Sequence, residues 1–178
     1  AKAVVISGRS GVLCGGFDLN VVRGNDKSAK SEMHAAGEAL LLKLYVHPQP
    51  LILACTGHAI AAGALLLLSG DRRIGVNGAY KIGLNEVKIG LPVPLFGLEL
   101  ARDRLDPRAL GSSTLGAKIY TPCRAVVAGY LDDVVDSESL TSEAQGVAVG
   151  MTDLDPNAFA STKLRLRMST ISRIHNAK

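Results

Sequence analysis

Apolar and polar residues fall into alternating blocks along the chain, and the blocks predict strands followed by helices. Short apolar runs are typical of strands that are covered on both faces, and such runs occupy 3–7, 51–55, 72–76 and 79–83. Helical spacing or a longer apolar run predicts helices over 31–47, 59–69, 95–105, 124–130 and 161–174. This alternation of strands and helices predicts an α/β fold.

Two of these helices are expected to turn an apolar face toward the core. In the helix 31–47, this face comprises Met33, Ala36, Leu40 and Leu44. The helix 161–174 is basic and amphipathic, and the stripe that has to be buried comprises Leu164, Met168 and Ile171. The cations that are expected on its solvated face are Lys163, Arg165, Arg167 and Arg173.

The chain has 178 residues, a length that suits one domain. Its run 51–68 is almost entirely apolar and has to be considered as a membrane span, which needs about 20 residues. Thr56, Gly57 and His58 interrupt this run, and charged residues follow soon after it. A buried strand, a turn and a buried helix explain the run better, so we predict no membrane segment.

Composition argues against several classes of protein. The net charge of +4 is a mild basic bias that falls short of a nucleic-acid-binding signature. The three cysteines are scattered, which indicates neither a disulfide framework nor a zinc site, and the four histidines lack metal-ligand spacing. The first segment is no signal peptide. These features predict a reducing, cytoplasmic location and no bound metal.

Two loops of small residues follow the first two buried strands. Residues 8–18 read GRSGVLCGGFD, and residues 56–65 read TGHAIAAGAL. Neither loop matches the dinucleotide-binding or P-loop fingerprint, and a GxSxG nucleophile elbow is absent. Small residues let backbone N–H groups approach a ligand, so two such loops can form an oxyanion hole. The alternative is that the glycines serve only tight turns and close packing of helix on sheet.

Four segments in order resemble motifs of the crotonase superfamily, the enoyl-CoA hydratases and isomerases. VLCGGFDL at 12–19 resembles the loop F-x-x-G-x-D-L, and IGLNEVKIGL at 82–91 resembles F-x-x-P-E-x-x-x-G. The stretch 50–71 is similar to P-x-I-A-x-x-x-G-x-A-x-G-G-G-x-x-L-x-x-x-x-D, and 120–135 is similar to A-x-E-A-x-x-x-G-L-V-D-x-V-V. The matches span residues 3–135, about three quarters of the chain.

The resemblance implies a crotonase-type spiral of ββα units over 1–135, with the N-terminal part of the family fold missing. It implies a C-terminal helical region over 136–178 at the interface of a homotrimer or hexamer. The expected ligand is an acyl-CoA thioester of fatty-acid metabolism, with no further cofactor. The basic helix 161–174 would then bring its cations near the CoA phosphates.

The resemblance also assigns site residues. Backbone N–H groups of Phe17 and Ala62 would form the oxyanion hole, although the family usually has glycine where Ala62 stands. The positions assigned to substrate binding are Gly16, Asp18, Gly63 and Leu65. Without the resemblance, three polar side chains in or near these segments have simpler expected roles. Asp18 is expected to form a local hydrogen bond, and His58 and Asp71 are expected to be structural.

The chemistry depends on Glu86, a lone carboxylate within the apolar segment IGLNEVKIGLP. Most glutamates are exposed, so its residue type alone favours a surface position. The resemblance implies a general acid/base instead, with a pKa raised by burial. Hydratases of the family carry a second glutamate where this chain has Leu65, and one carboxylate is enough to shift a double bond. The resemblance therefore favours an enoyl-CoA isomerase; a hydratase, which is a lyase, and a non-catalytic acyl-CoA-binding protein are the alternatives.

Overall fold

The strands form two parallel sheets, and each of the first three pairs of strands adds one strand to each sheet. The computed structural model describes residues 1–176. In one sheet the order is β1 (Val4–Ser7), β3 (Leu51–Cys55), β5 (Arg72–Val76) and β7 (Asp133–Val135). In the other the order is β2 (Gly11–Cys14), β4 (Gly57–Ile60) and β6 (Ile82–Gly83). This topology confirms the α/β class and the spiral of ββα units.

Helices follow each pair of strands. After β2 come α1 (Leu19–Arg23) and α2 (Lys27–Tyr45), and after β4 comes α3 (Ala62–Ser69). After β6, the chain forms α4 (Leu95–Arg104), α5 (Pro107–Thr114) and α6 (Pro122–Ala128). The helices α7 (Leu140–Gly150) and α8 (Pro156–Asn176) follow β7. Within residues 1–176, none of these helices has the length and apolar character to cross a membrane.

The strand β3 is buried on both faces because helices cover the sheet on each side. Leu51, Leu53 and Cys55 belong to the larger apolar cluster, which includes α3. Ile52 and Ala54, which point to the opposite face, pack in a smaller cluster with α7. The continuous apolar run that predicted this strand therefore has the expected cause.

Several predicted boundaries differ from the structure. The predicted loop 8–18 contains β2, the start of the predicted helix 59–69 is β4, and the predicted strand 79–83 is reduced to β6. These strands have two to four residues, and glycine occurs in each. They are held by pairing with their neighbours in the sheet, so no long apolar run marks them in the sequence.

The predicted inner face of α2 is right only in part, because Leu44 packs against the larger apolar cluster and Met33 is half-buried, whereas Ala36 and Leu40 are exposed. Its buried residues are Leu41 and Tyr45, whereas Leu40 is 56% exposed. The Tyr45 hydroxyl donates a hydrogen bond to Asp103, and the Arg167 guanidinium lies 4.3 Å from the centre of the Tyr45 ring. A polar network thus fixes the rotation of α2, and apolar spacing does not reveal such a network.

The helix α8 turns two of its cations inward, so the expected solvated face is wrong for these two, whereas Arg165 and Arg173 are exposed as predicted. Of the stripe that was expected to be buried, Ile171 packs against the larger apolar cluster. Its buried residues are Lys163, Arg167, Thr170 and Ile174. Leu164 and Met168, which were expected to be buried, are 46% and 49% exposed. Arg173 lies at the surface and pairs with the buried Glu99.

The cause of this inversion is a set of acceptors beneath α8. The Asp71 carboxylate lies 2.5 Å from Lys163 Nζ and 2.9 Å from an Arg167 nitrogen. Lys163 also donates to the backbone carbonyls of His47 and Gln49. The buried cations are thereby paired and hydrogen-bonded, which is the condition under which charges are tolerated in a protein interior.

Candidate active site

The β2–α1 loop and the β4–α3 loop touch because β2 pairs with β4. Gly16 has a φ of +104°, and a Cβ added there would lie 3.2 Å from the Ala61 Cβ. Gly63 packs so closely on β2 that an added Cβ would collide with the Cys14 carbonyl oxygen. Close packing is therefore one function of these small residues, and it sets the two loops side by side.

The contact between the loops places one residue of each loop, Phe17 and Ala62, beside one cavity. Phe17 and Ala62 both line it, and the hydrogen bonds of residues 1–176 include none donated by either N–H group. The Ala62 N–H lies in the first turn of α3, at the positive end of the helix dipole. The Phe17 ring packs edge-on against His34 at 5.3 Å and against Gly37, so it forms a wall of the cavity beside α2.

Ala61, the residue before α3, has a strained backbone with φ 53° and ψ −120°. This conformation suits glycine, and a non-glycine residue there costs about 1–3 kcal/mol. We expect Ala61→Gly to raise the free energy of unfolding by about 1 kcal/mol. The relief of backbone strain in the folded state should exceed the destabilisation that comes from the greater conformational entropy of the unfolded glycine variant. Thermal or urea unfolding would measure it, with Ala35→Gly on the exposed side of α2 as a control that should destabilise. A loss of stability in Ala61→Gly would contradict the assigned strain.

The cavity has a volume of about 310 Å³ and is mostly apolar. Glu86 and Asn85 provide its acidic and amide groups. Its apolar walls comprise Phe17, Leu19, Val22, Leu65, Ile89, Leu91, Pro92 and Pro94. Gly16 and Ala61 lie in the same lining, so the cavity joins the two loops to the segment that follows β6.

Glu86 lies in this cavity at the start of the 3-10 turn Val87–Ile89. It is 8% exposed, and its Oε2 atom has no hydrogen-bond partner in residues 1–176. Burial raises the pKa of the Glu86 carboxyl, while the backbone N–H groups of Glu86 and Asn85 oppose that shift. The side chain is therefore not an ordinary surface glutamate, and it has the environment of a proton acceptor.

Leu65 is the residue that the resemblance aligns with a second glutamate of the hydratases. Its side chain is 1% exposed and lines the cavity that contains Glu86. Gly97 of α4 packs against its other side, where an added Cβ would lie 3.1 Å from a Leu65 methyl carbon. An apolar side chain therefore lies in the same cavity as Glu86 at this position.

Other predicted site residues lie outside the cavity lining. Asp18 is exposed and caps α1, since its carboxylate accepts a hydrogen bond from the Asn20 N–H at 2.8 Å. Gly63 contacts the strand β2 and does not line the cavity. The His58 ring accepts a hydrogen bond from the Lys81 N–H, and Asp71 holds α8. The local hydrogen bond expected of Asp18 is present, whereas direct contact with a ligand in this cavity has no structural support.

Two polar lining residues were not assigned from the sequence. Among residues 1–176 the buried Asn85 Oδ1 atom has no hydrogen-bond partner, and His34 reaches the cavity from α2. Asn85 directly precedes the acid in the segment IGLNEVKIGLP, so its position was a usable signal, but no motif marks His34. Within residues 1–176, no group of three His, Cys, Asp or Glu side chains is placed to hold a metal ion.

The chain matches a known protein family, whose model is described as Enoyl-CoA hydratase/isomerase, over residues 1–176. It is 28% identical over 172 residues to mitochondrial enoyl-CoA delta isomerase 1 of Rattus norvegicus. The aligned region covers 96% of this chain and 60% of the rat protein. The chain thus spans less than two thirds of the length of this relative.

Solved structures show the same fold at higher coverage. An enoyl-CoA hydratase/isomerase family protein from Pseudomonas syringae is 42% identical, with a TM-score of 0.95 over 98% of this chain and 76% of its own. A Mycobacterium tuberculosis protein is 37% identical and is similar over 98% of this chain. One structure of it, with a TM-score of 0.94 and 74% of its own chain covered, is named a probable enoyl-CoA hydratase. Another structure, with a TM-score of 0.93 and 76% of its own chain covered, is named an enoyl-CoA isomerase.

Proposed function

The chain belongs to the enoyl-CoA hydratase/isomerase family, and on that premise we propose that it shifts the double bond of a 3-enoyl-CoA thioester to the 2 position. The observation that carries this proposal is a single buried carboxylate, Glu86, in an apolar cavity where Leu65 replaces a second acid. The acyl-CoA is the substrate, and the reaction needs no further cofactor. Its place in metabolism is the conversion of unsaturated fatty acyl thioesters.

The proposed reaction moves one proton between two carbon atoms. The Glu86 carboxylate takes a proton from C2, and the electron pair of that C–H bond forms a dienolate whose charge lies largely on the thioester oxygen. The N–H groups of Phe17 and Ala62 donate hydrogen bonds to this oxygen as its charge develops. Glu86 then gives the proton to C4, which leaves the double bond between C2 and C3.

The environment of Glu86 supports this assignment in two respects. Its pKa is raised by burial, and a base with a pKa closer to neutrality exchanges protons with a weak carbon acid more effectively than an exposed carboxylate does. The apolar walls also exclude water, which strengthens the hydrogen bonds to the developing oxyanion. An exposed glutamate would offer neither property.

Hydration of a 2-enoyl-CoA is the second candidate function. The observation in its favour is that several similar proteins carry that name, including 2,3-dehydroadipyl-CoA hydratase of Escherichia coli. Hydration requires a water molecule to be positioned and deprotonated while C2 receives a proton. Leu65 provides no group for the first task, so isomerisation fits the cavity better.

A second carboxylate at position 65 should introduce hydration. We expect Leu65→Glu to hydrate 2-enoyl-CoA faster than the wild type, because the new acid enters the cavity that contains Glu86. The buried acid should also destabilise the protein, since Leu65 is 1% exposed. The rate would be followed by loss of the absorbance of the conjugated thioester.

Leu65→Gln is the matched control, since it has nearly the same shape as the glutamate variant and no acid. It should show no gain in hydration. Equal gains in both variants would show that access of water, and not the carboxylate, limits hydration. Rapid hydration by the wild type would favour the hydratase function directly.

We also propose that the protein assembles as a homotrimer or hexamer, as the family resemblance implies. Exposed apolar residues of α8 support this, because Leu164, Leu166 and Met168 are 46%, 70% and 49% exposed. Apolar side chains concentrated on one helix are typical of surfaces that are covered in an assembly. Lys163 and Arg167 pair with Asp71, so among the predicted CoA-binding cations Arg165 and Arg173 remain exposed, and Arg173 pairs with Glu99.

A further inference from the structure

A glycine lies in the middle of the long helix α2, where the backbone conformation does not require one. Gly37 has helical geometry, and it is not among the residues of 1–176 that have a positive φ. Glycine inside a helix is unfavourable compared with alanine, because glycine loses more conformational freedom when the chain folds. A contact with another part of the chain therefore has to explain why no side chain is present here.

The contact comes from the Phe17 ring. A Cβ added at Gly37 would collide with Phe17 Cζ and would lie 2.5 Å from one Cε atom. His34, three residues before Gly37, lies on the same side of α2. Its ring meets the Phe17 ring edge-on, with 5.3 Å between the ring centres and 75° between the ring planes. His34 and Gly37 together form a depression on α2 that holds the ring, which we call the Phe17 seat.

The loop that carries Phe17 has few other attachments. Gly15 and Gly16 precede Phe17, and a Cβ added at Gly15 would meet no atom within 4 Å. Gly16 packs on Ala61, but the hydrogen bonds of residues 1–176 include none to or from the backbone groups of Gly15, Gly16 or Phe17. Two successive glycines leave a backbone free to turn. The direction of the Phe17 N–H therefore depends on where its ring is held.

We propose that Gly37 is a positioning residue, because the Phe17 seat that it opens sets the direction of the Phe17 N–H. The proposal rests on the proposed function, in which this N–H donates a hydrogen bond to the thioester oxygen of the dienolate. Gly37 acts through Phe17 and does not itself line the cavity. The second donor, the Ala62 N–H, belongs to the first turn of α3 and needs no such support.

Replacing Gly37 by alanine should lower kcat for 3-enoyl-CoA isomerisation by about 10-fold. The added methyl group would occupy the Phe17 seat, so the ring has to move and the two glycines before it offer little resistance. A misplacement of about 1 Å lowers catalytic rates by up to about 100-fold, and here only one of two donors is displaced. Initial rates at saturating substrate would measure the loss.

Binding separates this role from that of a cavity wall. A saturated acyl-CoA of the same chain length carries far less charge on its thioester oxygen than the dienolate does. Its Kd should therefore change by no more than about twofold in Gly37→Ala. A ring that only forms a wall would raise this Kd in proportion to the loss of kcat/KM, and that result would overturn the proposal.

A second substitution in the ring should restore activity. Phe17→Leu keeps the backbone N–H and removes the Cε and Cζ atoms that an added Cβ at Gly37 would meet. Alone it leaves the Phe17 seat partly empty, so it should also lower kcat. The double variant Phe17→Leu/Gly37→Ala refills the seat, and we expect its kcat to be several-fold higher than that of Gly37→Ala. A double variant as slow as Gly37→Ala would contradict the proposal.

Gly146→Ala is the matched control, because Gly146 is exposed within α7 and a Cβ added there would meet no atom within 4 Å. It should leave kcat unchanged and raise the free energy of unfolding. If the wild type isomerises and Gly37→Ala is equally fast, the positioning role is rejected and the proposed function stands. A wild type without isomerase activity rejects both. If Gly37→Ala does not fold, Phe17→Leu is compared with the double variant, and only a faster double variant supports the proposal.

Discussion

Replacing Glu86 by glutamine should lower the rate of 3-enoyl-CoA isomerisation by about 10²-fold or more, which is the scale of general acid–base catalysis. The glutamine side chain would have nearly the same shape and would keep the lining of the cavity, but an amide cannot take the proton from C2. Binding of the acyl-CoA should change little, because the apolar walls and the two backbone N–H groups remain. Initial rates and a binding titration, measured side by side, would separate the two effects.

The pH dependence gives a second readout for the same variant. Wild-type turnover should rise as pH passes through the raised pKa of Glu86, because the base acts in its ionised form. Since the folded-state pKa is raised, ionisation of Glu86 costs stability as pH increases through it. Glu86→Gln removes that cost, so its free energy of unfolding should equal or exceed that of the wild type on the alkaline side.

Glu143→Gln, an exposed change on α7, is the matched control and should leave rate and stability unchanged. Turnover in Glu86→Gln close to the wild-type value would remove Glu86 from the reaction. A variant that loses both turnover and acyl-CoA binding would indicate a role in binding instead. Only a selective loss of turnover supports the assignment.

Replacing Asp71 by asparagine should destabilise the protein by about 3–5 kcal/mol, the usual effect of removing one partner from a buried ion pair. Lys163 and Arg167 are 6% and 2% exposed, and the variant would leave both cations without their carboxylate. The Leu51 N–H, which donates to Asp71 Oδ2 at 2.8 Å, can still find an amide oxygen there. Urea unfolding monitored by circular dichroism would measure the change.

Asp106→Asn is the control for this experiment, since it alters a surface pair with Arg108 and keeps a residue that caps helices well. It should change the unfolding midpoint only slightly. Similar midpoints for the two variants would show that the Asp71 cluster contributes no more than a surface pair. In that case the inward orientation of α8 would need another cause.

The parts of the fold that the sequence predicted are those with a strong local pattern. The strand β3 is apolar at every position because the sheet is covered on both sides, so its run could be recognised without knowledge of its neighbours. The helix predicted over 124–130 is likewise present as α6, which runs from Pro122 to Ala128 and is followed by Gly129, whose φ of 92° suits glycine. Patterns of this kind are contained within one segment of the chain.

The orientation of α8 depends on groups that are distant in sequence, which is why its pattern was misleading. Asp71 and the carbonyls of His47 and Gln49 lie about a hundred residues before Lys163. Amphipathic spacing assumes that the surface beneath a helix is apolar, and here that surface is rich in acceptors. No local pattern records the chemistry of the opposite surface.

In the candidate site, too, features with a local sequence pattern could be predicted, and features that depend on tertiary packing could not. Glu86 could be found because a lone carboxylate in an apolar segment matched a family motif, and the cavity around it follows from the pairing of β2 with β4. The strain at Ala61 could not be found, since alanine gives no sign of a positive φ.

A comparison of isomerisation and hydration by the unmodified protein tests most directly whether it is a 3-enoyl-CoA isomerase. Purified protein would be incubated separately with 3-enoyl-CoA and 2-enoyl-CoA of several chain lengths, and the products would be identified by mass spectrometry and NMR. If Glu86 acts as the proposed isomerase base, 3-enoyl-CoA will be converted to 2-enoyl-CoA and neither thioester will be hydrated to a large extent. Rapid formation of 3-hydroxyacyl-CoA from 2-enoyl-CoA, or binding of both thioesters with no turnover, would contradict it.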